Sequence, residues 1–256
     1  MFEIGPGKVA AKTFFDVEFP KGHVGIKSFD AELVDEEGNS VPLYEAYLHH
    51  WFAIKYHAKD WNMLKIVPKN PLEGAIYVRN EGTCNSYILP AYWGLGGESR
   101  GTKSNIPDPY AVEQGNPSYV PIGYEEKWLL NLMSEFTIPP NNGKKHSHPH
   151  IEKANIPIEK GGYLIYGTSH MHTGVINATL YGQDGRILYT SKPTYGDGKE
   201  PGNEKGYVVG MSGSYPKPGS IKIKDGETLT VETRYKSGFL TGAMGHMYIY
   251  LADRLA

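Results

Sequence analysis

The run "GTSHMHTG", residues 167–174, places His170 and His172 two positions apart in a strand-like segment. In an extended strand, residues i and i+2 share a face with Cα atoms about 6.5–7 Å apart, so two imidazoles can meet on one metal ion. The competing reading is two half-exposed polar residues near the start of a strand. A further pair, His49-His50, sits in the apolar context "LHHWFAI". Neighbours in a regular strand point to opposite faces, so this pair reaches one ion only at a bulge or a strand end. The group "HSHPH" at 146–150 reads as a polar loop with at most an incidental affinity for metals. In "TGAMGHMYIYL", Met244 and His246 fall on one strand face and Met247 on the other. Taken alone, these methionines read as core and His246 as a structural residue, with a ligand or supporting role for His246 as the alternative. Should a thioether join two imidazoles, the set points to copper, because thioether suits Cu(I) and imidazole suits copper and zinc.

Other chemistries find little footing. The lone Cys84 lacks a basic or helical neighbour to activate it, and one cysteine makes neither a disulfide nor a thiolate zinc site. "GLGGES", 94–99, resembles a phosphate loop superficially but lacks the GxxxxGK[ST] spacing, and GxSxG does not occur. Glu98 and Arg100 are placed to touch a substrate, yet nothing in the sequence singles them out.

The elements that must position these residues are strands. Period-2 alternation dominates: 24–34, 41–57, "GAIYVRN", "SYILPAYW", "KWLLNLMSEF" at 127–136, and then "GGYLIYG", "VINATLYG", "RILYTS", "YVVGMSGS", "SIKIK", "ETLTVETRY" and "GHMYIYLA". A turn is expected at Gly38-Asn39, and hairpins at Asp184-Gly185 and Asp225-Gly226. With 31 Gly and 18 Pro in 256 residues, the chain is expected to be all-β, a sandwich or barrel. Residues 94–126 read as a long polar loop and 137–157 as a linker. That gives an N-terminal β-sandwich domain at 1–136, a linker loop at 137–157 and a C-terminal β-sandwich domain at 158–256. A net charge of −2 offers no basic field for nucleic acid, and no apolar run is long enough for a membrane span. The N-terminus lacks the apolar core of a signal peptide, which fits a cytoplasmic chain as written and a secreted one if this is a trimmed mature form. Oligomeric state is left open.

Together, "YLHHW", "SHMHTGVINATLYGQDGR" and "MGHMYIYL" resemble the copper type II, ascorbate-dependent monooxygenases, such as the peptidylglycine α-hydroxylating enzymes. Closer still, "FPKGHVGIKSFDAELVDEEGNSVPLYEAYLHHW", "PDPYAVEQGNP", "GYEEKW", "YGQDGRI" and "VVGMSGSYPKPG" look like the plant stress-up-regulated nodulin family, itself distantly similar to those enzymes. The resemblance covers about residues 5–136 and 158–256. It implies two jelly-roll-type β-sandwich domains, each with a mononuclear copper site, facing one another across an open cleft. It implies that His170, His172 and Met244 hold the copper that handles O2 and substrate, and that His49 and His50 belong to the electron-passing copper. Where relatives carry the third histidine of that second set, this chain has Met133. The signal peptide and the cysteine-rich segment usual between the halves are missing from the pattern.

The expected function is therefore a copper-dependent, monooxygenase-like oxidoreductase acting on a small organic metabolite with O2, holding one or two copper ions, with ascorbate as reductant. Two alternatives stay open. One is a non-redox enzyme of plant metabolism, a cyclase or isomerase using a His/Tyr-lined cleft. The other is a non-catalytic copper-binding stress protein.

Overall fold

The computed structural model describes residues 9–15, 17–60, 73–77, 92–114, 122, 124–135, 149–236 and 243–256, with backbone alone for 76–77, 92–93, 114 and 125–135. Among them, strands carry nearly all the regular structure. They are β1 (Val9–Phe14), β2 (Val24–Ile26), β3 (Tyr47–Lys59), β4 (Ile76–Tyr77), β5 (Tyr92–Trp93), β6 (Val112–Gln114), β7 (Tyr124–Glu135), β8 (His150–Pro157), β9 (Gly162–Met171), β10 (Val175–Tyr181), β11 (Ile187–Ser191), β12 (Pro193–Tyr195), β13 (Val208–Met211), β14 (Lys222–Ile223), β15 (Thr228–Tyr235) and β16 (Gly245–Ala252), with one 3-10 turn at Ser99–Gly101. The all-β expectation holds. No helix among the described residues is long and apolar enough to cross a membrane.

In the N-terminal half the antiparallel sheet runs β1-β7-β3-β4, with β5 also paired to β3. Leu48 and Trp51 of β3 are buried, and the irregular segment around Phe19, Phe29 and Leu33 packs over them. The C-terminal half is a sandwich of two sheets, β11-β10-β15-β8 and β14-β9-β16. Leu180, Leu188, Leu229 and Val231 of the first sheet meet Leu164 and Ile223 of the second. Tyr189 stitches the layers, its hydroxyl donating to the Thr168 carbonyl at 2.7 Å. Strand β9 is buried on both faces, because its other face looks to the N-terminal half. There Ile165 packs with Ile106, and the Tyr166 hydroxyl donates to the Lys103 carbonyl at 2.7 Å.

Several boundaries differ from the sequence expectation. Of 24–34 only Val24–Ile26 is strand. Beyond it the backbone bonds to a loop instead, with Ile106 N–H donating to Lys27 O at 2.6 Å and Phe29 N–H to Ser104 Oγ at 3.0 Å. Strand β3 starts at Tyr47 rather than 41, because a turn at Pro42 takes the Glu45 and Ala46 N–H groups. Residues 150–157, expected in a loop, form β8 along β15, while 136–148 lie outside the described residues. The long loop of 94–126 contains the 3-10 turn, β6 and the start of β7. Asp184-Gly185 makes its hairpin between β10 and β11. Asp225-Gly226 instead turns the chain from one sheet to the other, since β14 pairs β9 and β15 pairs β10.

Leu229, at 1% exposure, fills the inter-sheet core, whereas Ile187 is 63% exposed. Leu229→Ala is expected to lower unfolding stability by about 2–5 kcal/mol. Ile187→Ala should stay within about 0.5 kcal/mol. Chemical denaturation of the two variants checks this, and equal losses would contradict the packing described.

Candidate functional site

Five histidines gather where the two halves meet. His170 on β9 and His172, one residue past its end, lie on the side turned away from the C-terminal sandwich core, and both are buried. Their Nε2 atoms approach to 3.1 Å. On β16, His246 stands directly across the ladder from His170, and the two ring centroids are 6.0 Å apart. Residues opposite one another in an antiparallel pair project to the same face, so β16 delivers its imidazole on the side of His170.

Strand β3 supplies the remaining two through an irregularity. Its register against β7 shifts between Leu48 and His50, leaving His49 as the extra residue of a β-bulge. A bulge cancels the in-and-out alternation locally. The His49 and His50 rings lie 5.1 Å apart, and His49 packs edge-on against His172 at 4.2 Å. The condition set by the sequence for this pair is thus met. The two sets do not face each other across an open gap, as the monooxygenase resemblance implied; their rings are in contact.

The loop that leaves β5 completes the site. It follows the edge of β3, Trp51 N–H donating to Leu95 O at 2.9 Å, and turns in at Gly96. A Cβ at Gly96 would sit 2.4 Å from the His49 carbonyl and 2.6 Å from Cε1 of His170. Only a bare Cα lets the loop pass this closely. Beyond it comes Glu98, 0% exposed, with Oε1 at 2.6 Å from His170 Nδ1 and Oε2 accepting from Gly96 N–H at 3.2 Å. The sequence offered Glu98 only as a loop residue able to touch a substrate, and its burial against His170 was not foreseen. The glycine density of "GLGGES", set aside as a failed phosphate loop, was the available signal: it marks close packing.

Tyrosines frame the cluster. Tyr47 meets His49 and His172 edge-on, both at 6.2 Å. The Tyr235 hydroxyl accepts from His172 N–H at 3.2 Å and Met244 N–H at 3.1 Å, and donates to the Met244 carbonyl. Met244 and His172 follow the last β9–β16 pair, Gly245↔Met171, and the Tyr235 hydroxyl ties their main chains together. Met133 is the cross-strand partner of His50, and its side chain lies outside the described residues. His23 stays apart on Glu113, as does exposed His150 on Glu152. His57 is buried elsewhere on β3. His146, His148 and Cys84 fall outside the described residues.

Burial is the larger cause, and the nearby His49, His170 and His246 add to it, in pushing the His50 imidazole down to about 4. His246 is lowered by burial and by His170, against an opposing pull from Glu98. Neutral imidazoles are the form that binds metals. The Nδ1 atoms of His50 and His246 are buried without a hydrogen-bond partner. Among the described residues, no three His, Cys, Asp or Glu side chains stand together as a group able to hold a metal ion.

Residues 1–138 and 133–254 match, as two segments, the family model described as stress up-regulated Nod 19. No curated protein matches the chain.

Gly96→Ala is expected to lower stability by about 1–3 kcal/mol and to displace the His170 ring. Calorimetry and histidine NMR read the two effects, and an unperturbed ring would contradict the close approach. The pH dependence has a definite sign. The His50 and His246 values lie below the ordinary 6.5 in the folded state, so the unfolded chain takes up protons first. Stability is full above about pH 6.5 and is lost as pH falls from there towards 4. Urea midpoints of metal-free protein should therefore fall through this window, and less steeply in His50→Gln. A flat profile in the unmodified protein would contradict the neutral cluster.

Proposed function

We propose that this chain, which belongs to the stress up-regulated Nod 19 family, holds copper between His170 and His172 and acts as an oxidoreductase on a small organic metabolite. The carrying observation is the 3.1 Å approach of the two Nε2 atoms. Two nitrogens bound at about 2.0–2.1 Å to one tetrahedral ion stand about 3.3–3.4 Å apart, close to that separation. Met244, tied through its main chain to the Tyr235 hydroxyl that also holds His172, is the proposed thioether donor. His49, His50 and Met133 are the proposed donors for a further ion. In this reading residues 1–136 and 158–256 form two domains that each contribute imidazoles.

Copper, when bound, supplies one-electron redox chemistry with O2. The chain does the rest. Glu98 orients His170, Tyr235 fixes the backbone of His172, and Tyr47 closes one side of the rings. Burial keeps bulk water from the imidazoles. Net hydroxylation joins one oxygen atom of O2 to a substrate carbon and releases water, with two electrons and two protons from a reductant such as ascorbate.

The pairing of Glu98 with His170 favours one other reading, general base catalysis without redox, since a carboxylate on Nδ1 makes Nε2 a directed proton acceptor. Turnover that persists with a copper chelator and without oxygen would select it.

Anaerobic Cu(I) titration followed by X-ray absorption tests the copper reading. Stoichiometric copper with one sulfur neighbour is expected, and the sulfur should vanish in Met244→Leu. A second sulfur would bring in Met133. His170→Ala or His172→Ala should weaken binding at least about 100-fold, more than the loss of a supporting residue. Failure of the unmodified protein to retain copper sinks the proposal.

A further inference from the structure

Glu98 is a carboxylate with no access to water, and among the described residues the cation of a lysine or arginine does not reach it. Leaving an ionised carboxylate in that state costs several kcal/mol unless hydrogen bonds or a positive charge compensate. Its two oxygens are used unequally. Oε2 accepts the Gly96 N–H, and Oε1 faces Nδ1 of His170 at 2.6 Å, a length typical of a charge-assisted bond. A carboxylate only accepts, so the proton of that bond sits on Nδ1. In the tautomer with that proton on Nδ1, the ring's lone pair lies on Nε2, the atom that faces His172.

The loop is built to hold this arrangement. The Glu98 carbonyl accepts from Thr102 Oγ1 at 2.7 Å and from Gly101 N–H at 3.2 Å. Ser99 Oγ accepts from the Trp51 indole at 3.0 Å, and Thr102 Oγ1 takes the Met211 N–H at 2.9 Å. The carboxylate is therefore fixed to β3 on one side and to β13 on the other.

We propose that Glu98 is a positioning residue. It locks His170 in the Nδ1-protonated tautomer, aims the Nε2 lone pair at the space shared with His172, and lends negative charge to a cation held there. The tautomer part stands on the geometry alone; the cation part rests on the copper reading.

Glu98→Gln is the discriminating variant because it keeps the shape and changes the hydrogen-bond logic. The glutamine oxygen must take the Gly96 N–H, since the amide NH2 facing that donor would leave two donors opposed. The NH2 then faces His170 Nδ1, which must become an acceptor, so the ring switches to the Nε2-protonated form. Long-range 1H–15N correlation spectra of metal-free protein, labelled at histidine, should show His170 protonated at Nδ1 in the unmodified chain and at Nε2 in Glu98→Gln. Cu(I) competition titrations should show affinity falling about 10–100-fold in the variant, the usual effect of removing a carboxylate behind a ligating histidine. An unmodified chain with Nε2 protonated, or a variant with unchanged tautomer and unchanged copper affinity, overturns the proposal. If the unmodified protein binds no copper but shows the tautomer switch, the copper reading falls and the positioning role stands. Glu98→Asp, one methylene shorter, serves if the glutamine variant does not fold: its carboxylate falls short of Nδ1, and loss of the Nδ1-protonated signature is expected. Retention of that signature overturns the proposal.

Discussion

A charged oxygen and an imidazole nitrogen 2.6 Å apart, both shut off from water, set the terms for the rest of the molecule. Such a pair survives only where its surroundings leave it nowhere else to go. Gly96 provides that by letting the loop lie against the His49 carbonyl and the His170 ring at once. The next turn is pinned by Trp51, Thr102 and Met211, and Arg100 reaches from it to Glu32 and to buried Glu204. Glu204 in turn accepts the Leu43 N–H at 3.0 Å. Docking of the two halves and construction of the site are one event, because the same dozen residues of loop carry both.

The histidines arrive by three different mechanical routes, and each constrains what the cluster can become. On β9 the spacing of two positions, one inside the β16 ladder and one just past its end, brings two imidazoles together. On β16 the partner is fixed by cross-strand register rather than by sequence neighbourhood. On β3 the bulge turns what alternation would separate into two adjacent rings, with Tyr47 packed edge-on beside them. Loss of local ladder regularity at Leu48–His50 thus converts a sheet-forming segment into a site-forming one. Bulges serve to re-aim side chains in this manner.

Much of this could be read from residue order. Alternation with β-branched and aromatic residues predicts β9, β10, β11, β15 and β16 closely, since each has a clear buried face. It fails for 27–33, where apolar residues also alternate but cover the β3 sheet as irregular chain, their backbone groups bonding to the loop at 104–106. Composition cannot separate an edge strand from a linker, and polar, exposed β8 was read as the latter. Both histidine pairs were visible from spacing, and the bulge was foreseen only as a condition. Glu98, named only as a residue able to touch a substrate, has a role that was not legible for a physical reason. Its partner is 72 residues away, and a glutamate in a polar loop looks like any solvated charge until the loop is folded against a strand.

The ladder between β9 and β16 sets His246 opposite His170, on the face that carries the paired imidazoles, and it ends at Gly245↔Met171, next to Met244 and His172. In the copper reading proposed above, a sulfur from Met244 would favour Cu(I) and a further imidazole would tolerate Cu(II) better. The Glu98 carboxylate would match the charge of a monovalent ion and undercompensate a divalent one, so both would favour the reduced ion. The His50 and His246 rings lie beside the pair with their Nδ1 atoms buried and unpartnered, yet among the described residues no three His, Cys, Asp or Glu side chains form a group able to hold a metal ion.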